Sequence, residues 1–509
     1  MKSNEKLWQF IVAAICLAYI LLRLWHLTDS CLWFDEIFSI HAAEHDWQNL
    51  FWFVAQDLIH PPLFYVLLKI WIHLGGESLF WLRLFPVLFS TVALIPFYLL
   101  CRQLKLNPPA IALAVSFFAA NGALIKYAQE VRMYGVLLCV SLFSLWLFVR
   151  FLNLGKGFLV LTIINILLVY THYFGWFVVL TEVFAIAIFQ RIKIRQILAM
   201  LAFTAAGFAP WILTVWRAAQ INANFSQNLA WASKPDLATV TQFVFDLLEP
   251  FYYQTTNIDP SSNLFITLPL LFIVILAFIF YLTGRENESE IEKRNLYLLL
   301  LFGFAPVLFA FIASWLLPFS VWGTRHFIIV FAPFMIFTAY FLDKLQILYL
   351  KLAVFVLIFW FFAFAFLLQT MRGAPISILC TWENLAADLR ETEQNSVAPT
   401  KIFVFEDVAA YNFWFALRDR EKQFQIIKVN GIAELIEDTA YFLPRGFDTV
   451  QTTEESGLQG ERFFIAFRDT EWSETKPPLR NLIVKGYKIG EPKIFTAQGL
   501  KAFLVEVKR

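Results

Sequence analysis

The chain has 509 residues, of which 59% are hydrophobic and 16% charged, and its mean hydropathy is +0.64. Soluble domains carry roughly 45–50% apolar and about 25% charged residues, so a cytosolic globular protein, a disordered chain and a fibrous one are all excluded. The excess is largely aromatic, with 58 Phe, 18 Trp and 16 Tyr, which points to a polytopic membrane protein. A net charge of +1 supplies no bulk field for nucleic acid, and no nucleic-acid partner is expected.

In chain order, runs near twenty residues predict eleven spans: 8–27, 81–100, 108–126, 132–149, 157–171, 173–190, 196–216, 263–283, 295–317, 326–341 and 352–370. The first run has no small-residue cleavage site and is followed at once by Arg23 and Trp25, so it is expected to stay as an anchor. Lys and Arg in short flanking loops set orientation. Lys2, Lys6, Arg102, Lys105, Arg150, Lys156, Arg191, Lys193, Arg195, Arg285, Lys293, Arg294, Lys344 and Lys351 all fall in alternate loops, which are expected to be cytoplasmic. The segment from Asp29 to Pro62 has no Lys or Arg and is expected outside. Eleven spans put the tail on that side too.

Beyond about residue 371 the composition turns mixed and charged. Trp382–Arg390 and Val408–Arg418 predict helices; Lys401–Glu406, Phe424–Val429, Arg462–Phe467 and Ala502–Val507 predict strands. The chain divides into a membrane domain at 1–370 and a small α/β domain at 371–509, which is long enough for a core of its own. Cys16, Cys101 and Cys139 lie in or beside apolar runs as core residues, whereas Cys31 and Cys380 lie outside them and pair only if both face an oxidising compartment.

Chemistry-bearing residues gather in the loops of one side. Asp35 and Glu36 are adjacent carboxylates just beyond the first span, at or near the start of a helix, where N–H groups keep a carboxylate ionised. A base and a plain capping residue are both open readings of Asp35. His60-Pro61-Pro62 holds a histidine beside a helix start, a place suited to an anion or to closing a turn. His41-Ala-Ala-Glu44-His45 matches an inverted zinc-protease string, but no further ligand is identifiable, and the polar face of an interfacial helix is the better reading. Glu130, Arg132 and Tyr134 follow in a short loop; either Lys126 pairs with Glu130, or Glu130 and Arg132 face the same cavity as Asp35. His172, Arg325 and His326 stand at the same ends of later spans. Arg325 is read either as a snorkelling anchor or as a bidentate phosphate ligand. Together these residues suggest a phosphate-containing substrate and acid–base chemistry. A lipid or sugar transporter or flippase is the rival class, but no internal repeat or midplane polar break supports it.

Trp33-Phe34-Asp35-Glu36, His60-Pro61-Pro62-Leu63, Gln129-Glu130-Val131-Arg132-Met133-Tyr134 and the late Arg325 resemble, in that order, glycosyltransferase family 39. This is the GT-C group that includes protein O-mannosyltransferases and the lipid A aminoarabinose transferase. The resemblance covers roughly residues 1–370. It implies an α-helical polytopic membrane enzyme of GT-C type in a bacterial plasma (inner) membrane, with its site and C-terminal domain extracytoplasmic. It implies a polyprenyl-phosphate sugar donor, a lipid, glycan or protein acceptor, and inversion at the anomeric carbon. Asp35 matches the family's base; Glu36, His60, Glu130, Arg132, Tyr134, His172, Arg325 and His326 are the candidate substrate contacts, with Arg and His on the lipid phosphate and Glu36 on the acceptor or orienting the loop. No residue is assigned to a metal and no cofactor is called for, although a divalent cation is compatible with the carboxylates. No lysine precedes the Pro-Pro as in the lipid A branch; His60 stands there, which argues against aminoarabinose and leaves the sugar open.

Overall fold

Hydrocarbon offers the backbone no hydrogen-bond partner, so the apolar runs close their bonds internally as helices. The computed structural model describes residues 2–221, 233–251, 263–284, 289–371, 380–394, 399–430, 443–445, 447–497 and 500–509. Helix α1 (Lys2–Leu24) is followed by three helices of the first long loop, α2 (Phe34–Glu44), α3 (Trp47–Asp57) and α4 (Leu63–Gly75). Helices α5 (Leu79–Val92) and α6 (Leu94–Gln103) continue one another. Then come α7 (Pro108–Ala120), α8 (Gly122–Gln129), α9 (Tyr134–Leu154), α10 (Phe158–Thr171), α11 (Gly175–Phe189) and α12 (Ile194–Ile221). The bundle closes with α13 (Leu237–Leu248), α14 (Leu268–Thr283), α15 (Glu290–Leu316), α16 (Ile328–Asp343) and α17 (Leu348–Met371).

Among the described residues, eight helices are long and apolar enough to cross a membrane, and they fall on eight of the eleven expected runs. The other three runs hold α7, α10 and α11, of 13, 14 and 15 residues. At 1.5 Å per residue these span only about 20–22 Å, against a hydrocarbon core of about 30 Å. The run at 108–126 is cut in two because Asn121 ends α7 and caps α8, its side chain accepting the Leu124 N–H at 2.9 Å. Arg23 is no flank: it is wholly buried and donates to the Phe118 and Ala119 carbonyls at the C-terminal end of α7. Arg285, one of the expected cytoplasmic cations, lies outside the described residues.

The C-terminal portion contains α18 (Cys380–Thr392), β1 (Thr400–Val404), α19 (Asp407–Leu417), β2 (Phe424–Asn430), β3 (Gln451–Glu454), β4 (Arg462–Asp469), α20 (Leu479–Val484), β5 (Lys488–Ile489), β6 (Lys493–Ala497) and β7 (Leu500–Lys508). The six predicted elements all coincide with observed ones; the short α20, β3, β5 and β6 went unread. The sheet order is β3-β2-β1-β4-β7-β5, with β6 also on β7. The pairs among β3, β2, β1 and β4 are parallel and those to β7 antiparallel. Alternation along the strands gives the sheet two buried faces. Ile402 and Val404 join the core shared with the membrane helices, whereas Phe403 and Phe405 join a second core with Phe463, Ile465 and Phe503.

Three contacts dock this portion on the first loop. Cys31 is disulfide-bonded to Cys380. His41 Nδ1 lies 2.8 Å from the Tyr411 hydroxyl, and Arg418 reaches Glu44 at 3.1 Å and Glu77 at 2.7 Å. Disulfides persist in oxidising compartments, which agrees with the outer placement that the basic loops predict. A cysteine introduced at Gln394 is therefore expected to react with an impermeant maleimide in intact cells, and one at Gln190 only after permeabilisation. The opposite pattern inverts the topology.

Candidate active site

Helix α2 begins at the end of the first span with two carboxylates, and their fates differ. Asp35 is the second helical residue, not the cap, and Glu36 is the third. Consecutive helical residues diverge by about 100°. Glu36 is wholly buried and braces the loop: it accepts the Trp33 N–H at 3.1 Å and the Val131 N–H at 2.8 Å, and lies 3.3 Å from Arg83. Arg83 in turn donates to the Leu27, Ser30 and Cys31 carbonyls. Every one of these partners belongs to the protein, so Glu36 sits as an orienting residue rather than a group offered to substrate.

Asp35 points the other way. Its Oδ2 accepts Arg325 Nη1–H at 3.0 Å and lies 3.7 Å from Arg132 Nη2. Burial alone would raise this carboxyl; the charges of Arg132 and Arg325 outweigh it and hold the group below its ordinary value. The ionised state thus rests chiefly on the two guanidiniums rather than on helix N–H groups as the sequence suggested. Arg325 also lies over the Trp33 ring, with its Cζ 5.7 Å from the centroid.

Arg132 is nearly unexposed and is aimed by several partners. Its Nη1 donates to the Asp35 carbonyl and to Ser39 Oγ, each at 3.1 Å. Its Nη2 lies 3.0 Å from His60 Nε2. A guanidinium only donates, so Nε2 accepts and the ring proton sits on Nδ1, which donates to Asp57 at 2.7 Å. His60 is therefore neutral in this arrangement; its burial, then the Arg132 charge, lower its pKa against the opposing pull of Asp57. The sequence placed His60 beside a helix start to meet an anion. The structure places it as the link between Asp57 and Arg132.

Glu130 follows α8 with its Oε2 buried and unpaired, and the Lys126 charge acts on its carboxyl. Burial pushes its carboxyl up to about 7. The Tyr134 hydroxyl, His172 Nε2 and His326 Nδ1 are likewise buried without a partner, as is the Tyr65 hydroxyl from α4. The His172 and His326 rings lie 4.7 Å apart, and Tyr134 lies 6.3 Å from His326. Buried polar atoms are nearly always paired, so several unpaired ones together mark a place built for polar contacts. All the candidate residues thus converge except Glu36, which faces its brace. Among the described residues, no group of three or more His, Cys, Asp and Glu is placed to hold a metal. The His41-Glu44-His45 string is dispersed onto Tyr411, Arg418 and the His41 carbonyl.

The sequence missed Asp57, Arg83, Ser39 and Tyr65. An arginine inside an apolar run, as Arg83 is, was the readable signal. It also missed an apolar groove of about 1250 Å³ between α11, α13 and α15, lined by Phe189, Leu237, Leu301, Phe304, Trp315 and Trp322. Trp322, in its lining, lies three residues before Arg325 in the chain.

No protein-family model and no curated protein matches the sequence. Solved structures do match. ArnT from Cupriavidus metallidurans in the apo state superposes with a TM-score of 0.58 at 10% identity, covering 99% of this chain and 98% of that one. The same protein bound to undecaprenyl phosphate gives 0.58 at 11% identity, covering 98% of each. The archaeal oligosaccharyltransferase AglB from Archaeoglobus fulgidus, in complex with an inhibitory peptide and a dolichol-phosphate, gives 0.50 at 13% identity over 83% of this chain. This chain spans only 64% of AglB's length. The chain therefore shares the fold of ArnT, a membrane helical bundle with a small C-terminal sheet domain.

Because Glu36 neutralises Arg83 at full burial, Glu36→Gln leaves a buried cation without its counter-charge. We expect a loss of about 3–5 kcal/mol in stability, read as earlier thermal unfolding in detergent. An unchanged melting curve assigns the brace to the backbone contacts alone.

Proposed function

We propose that this chain is an integral membrane glycosyltransferase. It moves a monosaccharide from a polyprenyl-phosphate donor to an acceptor hydroxyl on the outer face of the membrane, with Asp35 as base. The observation that carries this reading is Asp35 held between Arg132 and Arg325, among unpaired buried polar atoms and beside an apolar groove. The neighbours support the choice of donor, since ArnT is bound to undecaprenyl phosphate and AglB to a dolichol-phosphate. The groove suits an isoprenoid tail, and Arg325, three residues along the chain from Trp322 of its lining, suits the phosphate.

The chemistry is a single displacement. The acceptor hydroxyl gives its proton to the Asp35 carboxylate while its oxygen attacks the anomeric carbon. The bond from that carbon to the phosphate oxygen breaks, the anomeric configuration inverts, and the polyprenyl phosphate leaves with its new charge met by Arg325 and Arg132. A phosphate that competes for Arg325 withdraws part of the pairing from Asp35 and makes the carboxylate a stronger base. We assign the unpaired Tyr65, Tyr134, Glu130, His172 and His326 atoms to the sugar hydroxyls, on the ground that they lack partners within the protein.

Asp35→Asn is expected to fold, to keep donor binding, and to lose a factor of about 10²–10⁴ in turnover, the usual worth of a general base. The pH profile separates the two candidate bases. With Asp35 as base, activity is lost only as pH falls through a pKa below the ordinary carboxylate range. With Glu130 as base, the loss begins near pH 7. An Asp35→Asn enzyme within a few-fold of wild type, with a limb near neutrality, moves the role to Glu130.

Arg325→Lys keeps the charge but not the planar fork, so donor affinity is expected to fall, and to fall further in Arg325→Ala. Equal donor affinity in wild type and both variants, measured on folded protein, returns Arg325 to a membrane-anchoring role.

A further inference from the structure

The two ends of the bundle differ in charge. At the end opposite Asp35, α9 stops at Leu154 and α11 at Phe189, and α12 and α15 begin. Phe189 and Tyr297 line the same apolar groove, so the ends of α11 and α15 are neighbours. Lys193 donates to the Phe151 and Leu152 carbonyls at 2.9 and 2.8 Å, which ties the turn after α11 to the end of α9. Arg294, near the start of α15, donates to Asn153 at 2.6 Å, and its charge acts on Lys193. Two cations are thus fixed side by side. Arg191 and Arg195 flank Lys193 in the chain, and Lys156 stands at the tip of the turn from α9 to α10; all three are exposed. Gly155 and Gly157, at φ of 66° and 92°, make that turn tight, and a side chain at Gly155 would meet Lys193 Nζ at 4.0 Å.

What this group lacks is an acid. From residue 131 to residue 235 the sequence has one carboxylate, Glu182, which is enclosed within the bundle by Ser144 and Asn165. The acids at the start of α15 are matched elsewhere, Glu290 by Lys293 at 2.9 Å and Glu292 by Lys344 at 2.6 Å. Among the described residues, no ion pair joins Lys156, Arg191, Lys193, Arg195 or Arg294 to a carboxylate. Like charges held this close repel, and more strongly beside hydrocarbon than in water. An anion shared between them removes that cost.

The cations do not stand in open water. Leu154, Leu159, Ile188 and Ile192 beside them are 61%, 68%, 59% and 92% exposed. These residues lie at the ends of apolar helices, where acyl chains cover such side chains. An inorganic anion answers the charge but leaves this apolar rim bare. A phospholipid with an anionic head answers both. We propose that this end of the bundle binds an anionic phospholipid, with its phosphate among Lys156, Arg191 and Arg294 and its acyl chains along Leu154, Leu159 and Ile192. The site lies across the membrane from Asp35. It goes beyond the transfer reaction and does not depend on it.

The test is native mass spectrometry of the full detergent-solubilised chain, titrated with dioleoyl phosphatidylglycerol, with dioleoyl phosphatidylcholine and with inorganic phosphate. Phosphatidylglycerol is expected to bind at least about tenfold more tightly than phosphatidylcholine, whose head has no net charge. One Lys or Arg at a membrane surface is worth roughly a factor of five. Arg191→Gln/Arg294→Gln is therefore expected to weaken phosphatidylglycerol binding by a factor of about 25. Arg102→Gln/Lys105→Gln removes the same charge at the same end of the bundle, outside this group, and is expected to leave binding unchanged. Should the first double variant melt early, Lys156→Gln at the exposed tip carries the test, with an expected loss of about fivefold. Equal binding of the two phospholipids in wild type overturns the proposal. So does phosphatidylglycerol binding that survives both Arg191→Gln/Arg294→Gln and Lys156→Gln. Equal losses in the Arg191/Arg294 and Arg102/Lys105 variants also overturn it, by assigning the effect to net charge. Displacement by inorganic phosphate overturns it in favour of a free anion. Arg325→Ala is expected to change nothing; a loss there, with the other variants unaffected, places the lipid at the Asp35 end instead. Failure of glycosyl transfer in Asp35→Asn does not bear on any of these arms.

Discussion

The site depends on one buried carboxylate that takes no part in the proposed chemistry. Glu36 and Arg83 neutralise each other inside the protein, and the remaining capacity of both goes to backbone groups at Trp33, Val131, Leu27, Ser30 and Cys31. Those groups belong to the end of the first span, the start of α2 and the loop before α9. A buried ion pair adds little net stability over an apolar substitute, but it tolerates only one geometry. Here that geometry fixes the roll of α2. Asp35, one residue earlier, is thereby aimed at Arg325 and Arg132, and its distances to them follow from the brace.

The second constraint is the protonation of His60. Arg132 can only donate to it, so the ring proton must lie toward Asp57. A charged His60 would put a second cation against Arg132, which burial already disfavours. The result is a row of fixed polarity, Asp57 to His60 to Arg132 to Asp35, in which each group is oriented by the next. The Pro61-Pro62 pair contributes by holding His60 extended ahead of α4. Lysine could replace the charge of Arg132, but not its simultaneous reach to Ser39, His60 and the Asp35 backbone.

Much of this was legible in residue types and little of it in geometry. Among the described residues, the apolar runs located every helix long and apolar enough to cross a membrane, because hydrocarbon leaves the backbone one solution. Loop composition gathered Asp35, His60, Glu130, Arg132, His172 and Arg325 at one end. Length was misread where a polar residue interrupts an apolar run: Asn121 caps a new helix within residues that read as one span. Arg23 and Arg83 were misread or missed for a related reason. An arginine at the end of a span reads as a flank, whereas these two turn inward onto the carbonyls of α7 and of the first loop. The distinction between Asp35 and Glu36 was available from helical geometry alone, but the identity of their partners was not. Contacts such as Glu36 to Val131, 95 residues apart, leave no local trace.

The charges and the unpaired polar atoms are distributed differently, and that difference bears on why transfer is proposed over transport. Asp35, Arg132, Arg325, Glu36 and Arg83 all have partners within the protein, at one end of the bundle. Glu182, the carboxylate deep in α11, is met by Ser144 at 2.8 Å and Asn165 at 2.6 Å, with no cation in the group. A transport path needs ionisable or polar stations that continue through the bilayer and can exchange partners. Glu182 is instead enclosed by two neutral side chains and wholly buried, as a fastening between α9, α10 and α11. The unpaired atoms of Tyr65, Glu130, Tyr134, His172 and His326 gather near Asp35, whereas those on the spans, such as Thr204, Asn295 and Thr338, belong to neutral side chains. A carboxylate kept ionised, two cations beside it, and unpaired donors and acceptors around them are what the proposed displacement at a single carbon requires, and they are gathered at one end of the bundle.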